Sequence, residues 1–488
     1  MKKIRLSLLL PVIALSACRT GFDGNLLDNQ APDTHTVADT IIRFGDDRLE
    51  SEVVVRWWGD DPDGVVAGYE FTFGDPYSLM ADWQFTERQD STFILAPPAG
   101  TDTLDFYFSV RAIDQEGLRD PSPATLAYPV KNSPPSVAFQ PGLNQPVISF
   151  PALTFYWEGS DPDGDANLNG YEVVWNDTTV VPVPLEAGAG SLLLVADDPA
   201  ITSMTCNMYV NASATPLATS LSGMQAHSWN KLFIRAVDQS GAYSPWTASD
   251  SVYIKPVQSN ILLVNAYTTA SNPTDFYGSH LVNNGFTVLD TIDLFETAGG
   301  NYTQQSADNL TQEKVFAMFD CLIWYSNSAE SSLSLGQRTT SEFFDKGGHL
   351  LMSVYVSGSF DPLSNFLDFT PVSSLVSPAD TTLLLEAGAL LTPTDDAYPD
   401  LQATAIVGVV KPVNLQIGAA PVYEAALTAK DNATLTFSPW TGGAVVMARK
   451  PAAGEADFIL STLELQKLDG LLNMDDFFNK IMTDAFGY

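Results

Sequence analysis

The chain has 488 residues, 45% of them apolar and 11% aromatic. That is enough for about three domains of roughly 100–200 residues each, and it excludes wholesale disorder. Lys and Arg total 23 against 58 Asp and Glu, a formal charge of −35; a nucleic-acid partner calls for a basic stripe, and none is visible. Three cysteines exclude a disulfide scaffold.

In chain order, Lys2, Lys3 and Arg5 precede an apolar run from Leu6 to Leu15, broken only by Ser7 and Pro11. Leu15-Ser16-Ala17-Cys18 follows. This is the plan of a secretory signal, and the run is too short to cross about 30 Å of hydrocarbon. The tetrapeptide resembles the bacterial lipobox. The resemblance implies a lipoprotein signal peptide over 1–17, acylation of Cys18 and a membrane partner held through an N-terminal lipid anchor. Several acyl chains on one cysteine anchor stably, unlike one. Arg19 stands where enterobacterial lipoproteins kept at the inner membrane carry Asp, which points to the outer membrane. Residues 18–32, with Gly21, Gly24, Asn25, Asp28, Asn29 and Pro32, read as a tether.

Self-similarity begins next. Trp57-Trp58-Gly59-Asp60-Asp61-Pro62-Asp63-Gly64 matches Trp157-Glu158-Gly159-Ser160-Asp161-Pro162-Asp163-Gly164. Gly68-Tyr69-Glu70 matches Gly170-Tyr171-Glu172, and Val110-Arg111-Ala112-Ile113-Asp114-Gln115 matches Ile234-Arg235-Ala236-Val237-Asp238-Gln239. The second copy carries extra residues around 180–228. A period of two puts Trp57 and Trp157 on a buried face and turns Trp58 and Glu158 outward. Short alternating strands separated by Pro, Gly and Asp turns make β-sandwiches, here over 33–131 and 132–256. The Trp, Tyr and Val-Arg-Ala positions resemble fibronectin type III modules. Phe106 and Asn230 stand where those modules carry a late-strand Tyr.

The Asp-Pro-Asp-Gly loops admit two readings. Asp61 and Asp63 in one copy, and Asp161, Asp163 and Asp165 in the other, are oxygen donors of the kind calcium takes from flexible loops. The other reading is a β-turn, with Pro and Gly at their usual places and Asp bonding its own backbone.

At Ile261 the texture changes. Ile261 to Val264 is a continuous apolar run, as in a strand covered on both faces. A helix over 273–284 ends at Gly285, and a strand is expected at Phe286–Leu289. A helix with Leu310, Val315 and Met318 leads to a strand at Cys321–Tyr325. A helix over 331–346 leads to a strand at His349–Val354. Residues 356–440 lose the rhythm and read as an insertion. Strands resume at 442–448 and 457–460, and residues 475–486 form an amphipathic helix. Strand–helix alternation implies a parallel sheet with right-handed crossovers. The layout over 257–488 resembles the class I glutamine amidotransferase-like superfamily, through Ile261–Val264, Phe319 to Trp324 and Gly347 to Leu351. The expected fold is therefore multidomain: two all-β immunoglobulin-like (fibronectin type III-like) sandwiches, then a three-layer α/β domain with a mostly parallel sheet.

Active members of that superfamily carry a nucleophilic Cys on a Gly-x-Cys-x-Gly turn and a later His. The matching stretch, Met352 to Gly358, has no Cys, and no His follows His349. Cys321 opens a buried strand and reads as a small core hydrophobe; Cys206 lies in the extra segment of the second copy. There is no Gly-x-Ser-x-Gly and no His-Glu-x-x-His. The loop Asn265–Thr274 lacks the glycines of a dinucleotide site. If the domain binds a ligand, the carboxyl ends of its strands are the place, lined by Asn265, Tyr267, Tyr325, Asn327 and Tyr355. Tyr and Asn suit a glycan or protein partner. The expectation is a surface-anchored, non-catalytic protein whose sandwiches present a binding or scaffolding domain. Two alternatives stand beside it: an extracellular glycan or peptide hydrolase, with Asp275 and Asp361 as carboxylates near the crevice, and a calcium-dependent adhesin.

Overall fold

The computed structural model describes residues 28–37, 52–95, 97, 103–140, 145–296, 302–360, 365 and 367–488. The expected signal segment over 1–17, Cys18 and Asp361 lie outside the described residues. Two compact units emerge, one through Asn132 and one spanning Ser133–Tyr488.

The first unit holds β1 (Asp33–Thr36), β2 (Glu52–Asp60), β3 (Val66–Phe73), β4 (Gln84–Thr86), β5 (Asp90–Ile94), β6 (Thr103–Asp114) and β7 (Ala124–Lys131). They form a sheet of order β1-β2-β5 and a sheet of order β4-β3-β6-β7, every pair antiparallel. This is an immunoglobulin-like sandwich, in which the inward face of each strand builds the core. Val53, Val55, Trp57, Tyr69, Phe108, Val110 and Ala112 fill it, while Trp58 is exposed.

The second unit opens with β8 (Ser136–Phe139), β9 (Ile148–Ser149), β10 (Ala152–Ser160), β11 (Leu168–Trp175), β12 (Val183–Glu186) and β13 (Ser191–Ala196). It continues with β14 (Ser203–Val210), β15 (Ser220–Gln225), β16 (Ser228–Asn230), β17 (Leu232–Asp238), β18 (Thr247–Ala248) and β19 (Val252–Ile254). Sheet orders are β15-β14-β13-β10-β8 and β12-β11-β17-β18, with a short sheet β16-β19-β9. The extra residues of the second copy are thus a hairpin, β14–β15, that widens one sheet. Its end folds over the other sheet, where the Asn176 amide donates to the Gly223 carbonyl at 2.9 Å. Trp157, Tyr171, Trp175, Ile234 and Ala236 share the core.

The repeat has a packing reason. The Trp57–Tyr69 and Trp157–Tyr171 ring pairs are edge-on, at 6.3 and 5.7 Å. The glycine two residues after each Trp lies close to that Tyr: a Cβ on Gly159 would lie 2.4 Å from the Tyr171 hydroxyl, and one on Gly59 would lie 3.0 Å from the Ala112 Cβ and 3.3 Å from the Tyr69 ring. Glu70 pairs with Arg111 across β3 and β6, and Glu172 pairs with Arg235 across β11 and β17.

The rest of the second unit starts with β20 (Ile261–Asn265), α1 (Thr274–Asn283), β21 (Asp290–Asp293), β22 (Thr303–Gln304), α2 (Asn309–Phe316) and β23 (Cys321–Ser326). Then come α3 (Ala329–Thr339), α4 (Ser341–Asp345), β24 (His349–Val354), β25 (Val372–Leu375), β26 (Thr381–Leu384), β27 (Leu390–Pro393) and β28 (Leu401–Gln402). Last are β29 (Val413–Leu415), β30 (Ala420–Ala425), β31 (Thr428–Asp431), β32 (Phe437–Pro439), β33 (Val445–Lys450), β34 (Phe458–Ser461) and α5 (Met474–Lys480).

One large mixed sheet runs β22-β21-β20-β23-β24-β34-β33-β30-β27-β28. It is parallel from β22 to β34 and antiparallel from β34 to β28. Alternate residues of β20 and β23 enter two different cores. Ile261, Leu263, Cys321 and Ile323 pack with Tyr277, Leu281, Phe477 and Phe478; Leu262, Val264, Leu322 and Trp324 pack with Val315, Phe316, Leu333 and Phe343. Burial on both sides explains the continuous apolar runs.

Two expectations change. The second strand is Asp290–Asp293 rather than Phe286–Leu289, because the Asp290 carboxylate accepts the amides of Gln258 and Ser259 at 2.7 and 2.9 Å and fixes the pairing beside Leu262. The expected helix over 331–346 is two helices. The hydroxyls of Thr339 and Thr340 bond back to the carbonyls of Leu335 and Gly336, a contact that favours a helix end. The segment 356–440, expected as an insertion, is β-rich, and its β27, β28 and β30 extend the main sheet on its antiparallel side.

The second sandwich and this sheet share a seam. Phe150 and Ala152 belong to the same core as Leu322 and Trp324, Phe150 meets Phe319 edge-on at 5.2 Å, and the Thr154 and Thr311 hydroxyls are 2.5 Å apart.

Candidate functional site

The repeated Asp loops bind backbone. The Asp61 carboxylate accepts the Asp63 amide, and Asp161 accepts the Asp163 amide at 2.8 Å, the Asx arrangement of a turn. The residue at the third position then takes the chain entering each module. Asp63 accepts the Gln30 amide at 3.2–3.4 Å, and Asp163 accepts the Ser133 amide at 2.6 Å. The copies differ in depth: Asp63 is exposed, whereas Asp161, Asp163 and Asp238 are buried. Burial, joined by the like charges of Asp163 and Asp238, pushes the Asp161 carboxyl up despite bonds from Asp163 and Asn167. Asp165 is exposed and accepts the Asp161 amide at 3.3 Å. Among the described residues, no group of three His, Cys, Asp or Glu side chains is placed to hold a metal ion.

The strand-end residues come together but do not line an open crevice. Asn265, Tyr267 and Tyr325 are buried, and Asn327 and Tyr355 half-buried. The Asn265 amide donates to Asp293 at 3.0 Å. Tyr267 donates to Glu464 at 2.7 Å and accepts from the Gln466 amide at 2.6 Å. Tyr325 donates to Thr274 at 2.8 Å and stacks on Tyr277 at 4.3 Å. Asn327 accepts the Thr268 amide at 3.1 Å. Lys467 pairs with Glu464 and sits 5.5 Å from the Tyr355 ring centre. Burial pushes the Tyr267, Tyr277 and Tyr325 phenols up, so all three stay protonated donors.

Among the described residues, those at 462–467, which follow β34, pack over the ends of β20 and β24. Ser353, near the end of β24, is buried there. It receives the Tyr277 hydroxyl at 2.9 Å and the Leu465 amide at 3.1 Å, and donates to the Leu463 carbonyl at 3.2 Å. Sequence reasoning missed Tyr277, Ser353, Glu464, Gln466 and Lys467. The bonds that join Tyr277 to Ser353 and Gln466 to Tyr267 span 76 and 199 residues of chain, and no local pattern marks such pairs.

Both remaining cysteines are sealed. Burial pushes the Cys206 thiol up to about 12 and raises the Cys321 thiol strongly as well. Neither is disulfide-bonded. Of the two hydrolase carboxylates, Asp275 lies in the first turn of α1.

No protein-family model and no curated protein sequence matches the chain. Solved structures give partial likenesses. The fibronectin(III)-like modules of CbhA from Clostridium thermocellum match at 13% identity over 46% of this chain and 94% of that one, with a TM-score of 0.18. A two-domain fibronectin type III segment of chicken tenascin matches at 15% identity over 46% and 99%, with a TM-score of 0.19. Scores this low carry no argument about what the chain does.

Proposed function

We propose that the chain is a lipid-anchored, non-catalytic surface protein. Its two fibronectin type III-like sandwiches act as spacers, and its C-terminal body, a three-layer α/β domain similar to the class I glutamine amidotransferases, serves binding or scaffolding. The observation that carries the non-catalytic reading is the plugged strand edge: Ser353 stands in the nucleophile stretch with its hydroxyl engaged by Tyr277, Leu465 and Leu463. A nucleophile needs a neighbouring base and a place for the reacting atom, and residues 462–467 take that place. The anchor rests on Leu15-Ser16-Ala17-Cys18. The acidic balance keeps the chain soluble beyond its anchor and away from anionic lipid.

The test has two arms. Cells expressing the full chain are fed radiolabelled palmitate and fractionated. Label in the outer membrane, lost in Cys18→Ser, is expected; unlabelled chain released to the medium refutes the anchor. The purified chain is then screened for release of sugar or peptide. No turnover is expected, and turnover abolished by Glu464→Gln refutes the non-catalytic reading in favour of a hydrolase.

A further inference from the structure

A cleft of about 230 Å³ opens at the seam between the second sandwich and the large sheet, away from the plugged strand edge. Phe150, Tyr253, Lys255, Asp290, Thr291 and Tyr302 are among its lining residues. On the sandwich side Tyr253 is held from both flanks: it pairs with Trp229 across β16–β19 and with Ile148 across β19–β9. The Trp229 ring, half exposed, meets Tyr253 edge-on at 5.6 Å and packs against it. On the other side Asp290 is fixed by the Gln258 and Ser259 amides. The walls are tied to each other where Gln304 accepts the amides of Val147 and Ile148 at 2.5 and 3.2 Å. The site is thus formed in advance, as ligand clefts at domain seams commonly are.

Its chemistry narrows the ligand. The cleft carries one lysine, Lys255, one carboxylate, Asp290, and the imidazole of His227, so neither sign of charge dominates it. A purely apolar ligand would displace water from polar walls and offer them no hydrogen bond in return. A pyranose suits both features: its C–H face lies on an aromatic ring, and its hydroxyls both donate and accept, serving a donor-only amine, an acceptor-only carboxylate and a threonine hydroxyl together. We infer that this seam cleft is a binding site for a neutral saccharide, with Tyr253 as the stacking surface and Lys255 and Asp290 as the hydroxyl contacts. Burial lowers the Lys255 amine and raises the Asp290 carboxyl, in keeping with groups withdrawn from bulk water. The site does not depend on lipid at Cys18.

The experiment titrates the full chain with the methyl glycosides of glucose, galactose, mannose and N-acetylglucosamine, and with acetate and phosphate, by calorimetry and saturation-transfer NMR. Saturable binding of at least one glycoside is expected. It should weaken at least tenfold in Tyr253→Ala and in Lys255→Met, and stay unchanged in Trp58→Ala, an exposed aromatic of the first sandwich. Thermal unfolding is measured alongside; if Tyr253→Ala fails to fold, Tyr302→Leu takes its place with the same expectation. The inference is overturned if no glycoside binds, if acetate or phosphate alone binds, or if the cleft variants bind as tightly as the parent.

Discussion

The two Asp loops offer an internal comparison. Asp163→Ala removes a buried carboxylate that accepts the Ser133 amide at 2.6 Å. Hydrogen bonds to charged groups contribute about 1.5–3 kcal/mol, and a half-buried amide left without its acceptor adds to the loss. Relief of the repulsion on Asp161 works the other way and keeps the net cost near 2 kcal/mol, about thirtyfold in the local opening constant. Asp63→Ala removes an exposed carboxylate whose bond to Gln30 is 3.2–3.4 Å long; surface changes of that kind stay within about 0.5 kcal/mol. A chain of several modules does not unfold in one step, so the assay is amide hydrogen exchange resolved by peptide. Peptides around Ser133 in Asp163→Ala should exchange about thirtyfold faster, and those around Gln30 in Asp63→Ala at most about twofold faster. Equal effects in the two modules would refute the argument from burial. Repeating the exchange with calcium tests the adhesin alternative, since a metal at this loop would slow exchange in the parent and not in Asp163→Ala.

Native Cys206 and Cys321 should resist a maleimide at pH 8 and label fully only in denaturant, because burial holds both thiols protonated; prompt native labelling would refute their sealed positions. Burial raises Glu342, and the Lys314 and Lys346 ammoniums more than offset it, so its folded-state value lies below the ordinary 4.5. Its stabilisation is complete above that value and is lost as pH falls through the folded one. Glu342→Gln should therefore flatten the acid limb of a stability–pH curve below about pH 4.5 and leave its slope near pH 7 unchanged. At the seam the Thr311 hydroxyl also donates to Asp308 at 2.9 Å, so Thr311→Val alone strands the buried Thr154 hydroxyl and should cost about 1–3 kcal/mol, whereas Thr154→Val should cost less and the double variant clearly less than the sum. Additive losses in urea titrations would mean that the 2.5 Å contact carries no coupling.

The repeated modules were legible because their signals are local. A period of two names Trp57 and Trp157 as core and Trp58 as surface without knowledge of any partner. The Trp-x-Gly spacing recurs because a side chain on Gly159 would strike Tyr171. The two-sided burial of Ile261–Val264 and Cys321–Tyr325 is likewise written in unbroken apolar runs. Which strands pair, and what fills a crevice, are matters of distant contact. Nothing near Glu464 or Gln466 indicates that they close over Tyr267, some two hundred residues earlier. Nothing within 356–440 indicates that β27, β28 and β30 continue the main sheet rather than form a body of their own. The composition and periodicity of this chain determined its modules and their buried faces, since each is a property of a few consecutive residues. The tertiary structure alone decided the plugged strand edge and the seam cleft, since each arises where segments far apart in sequence compete to cover the same surface.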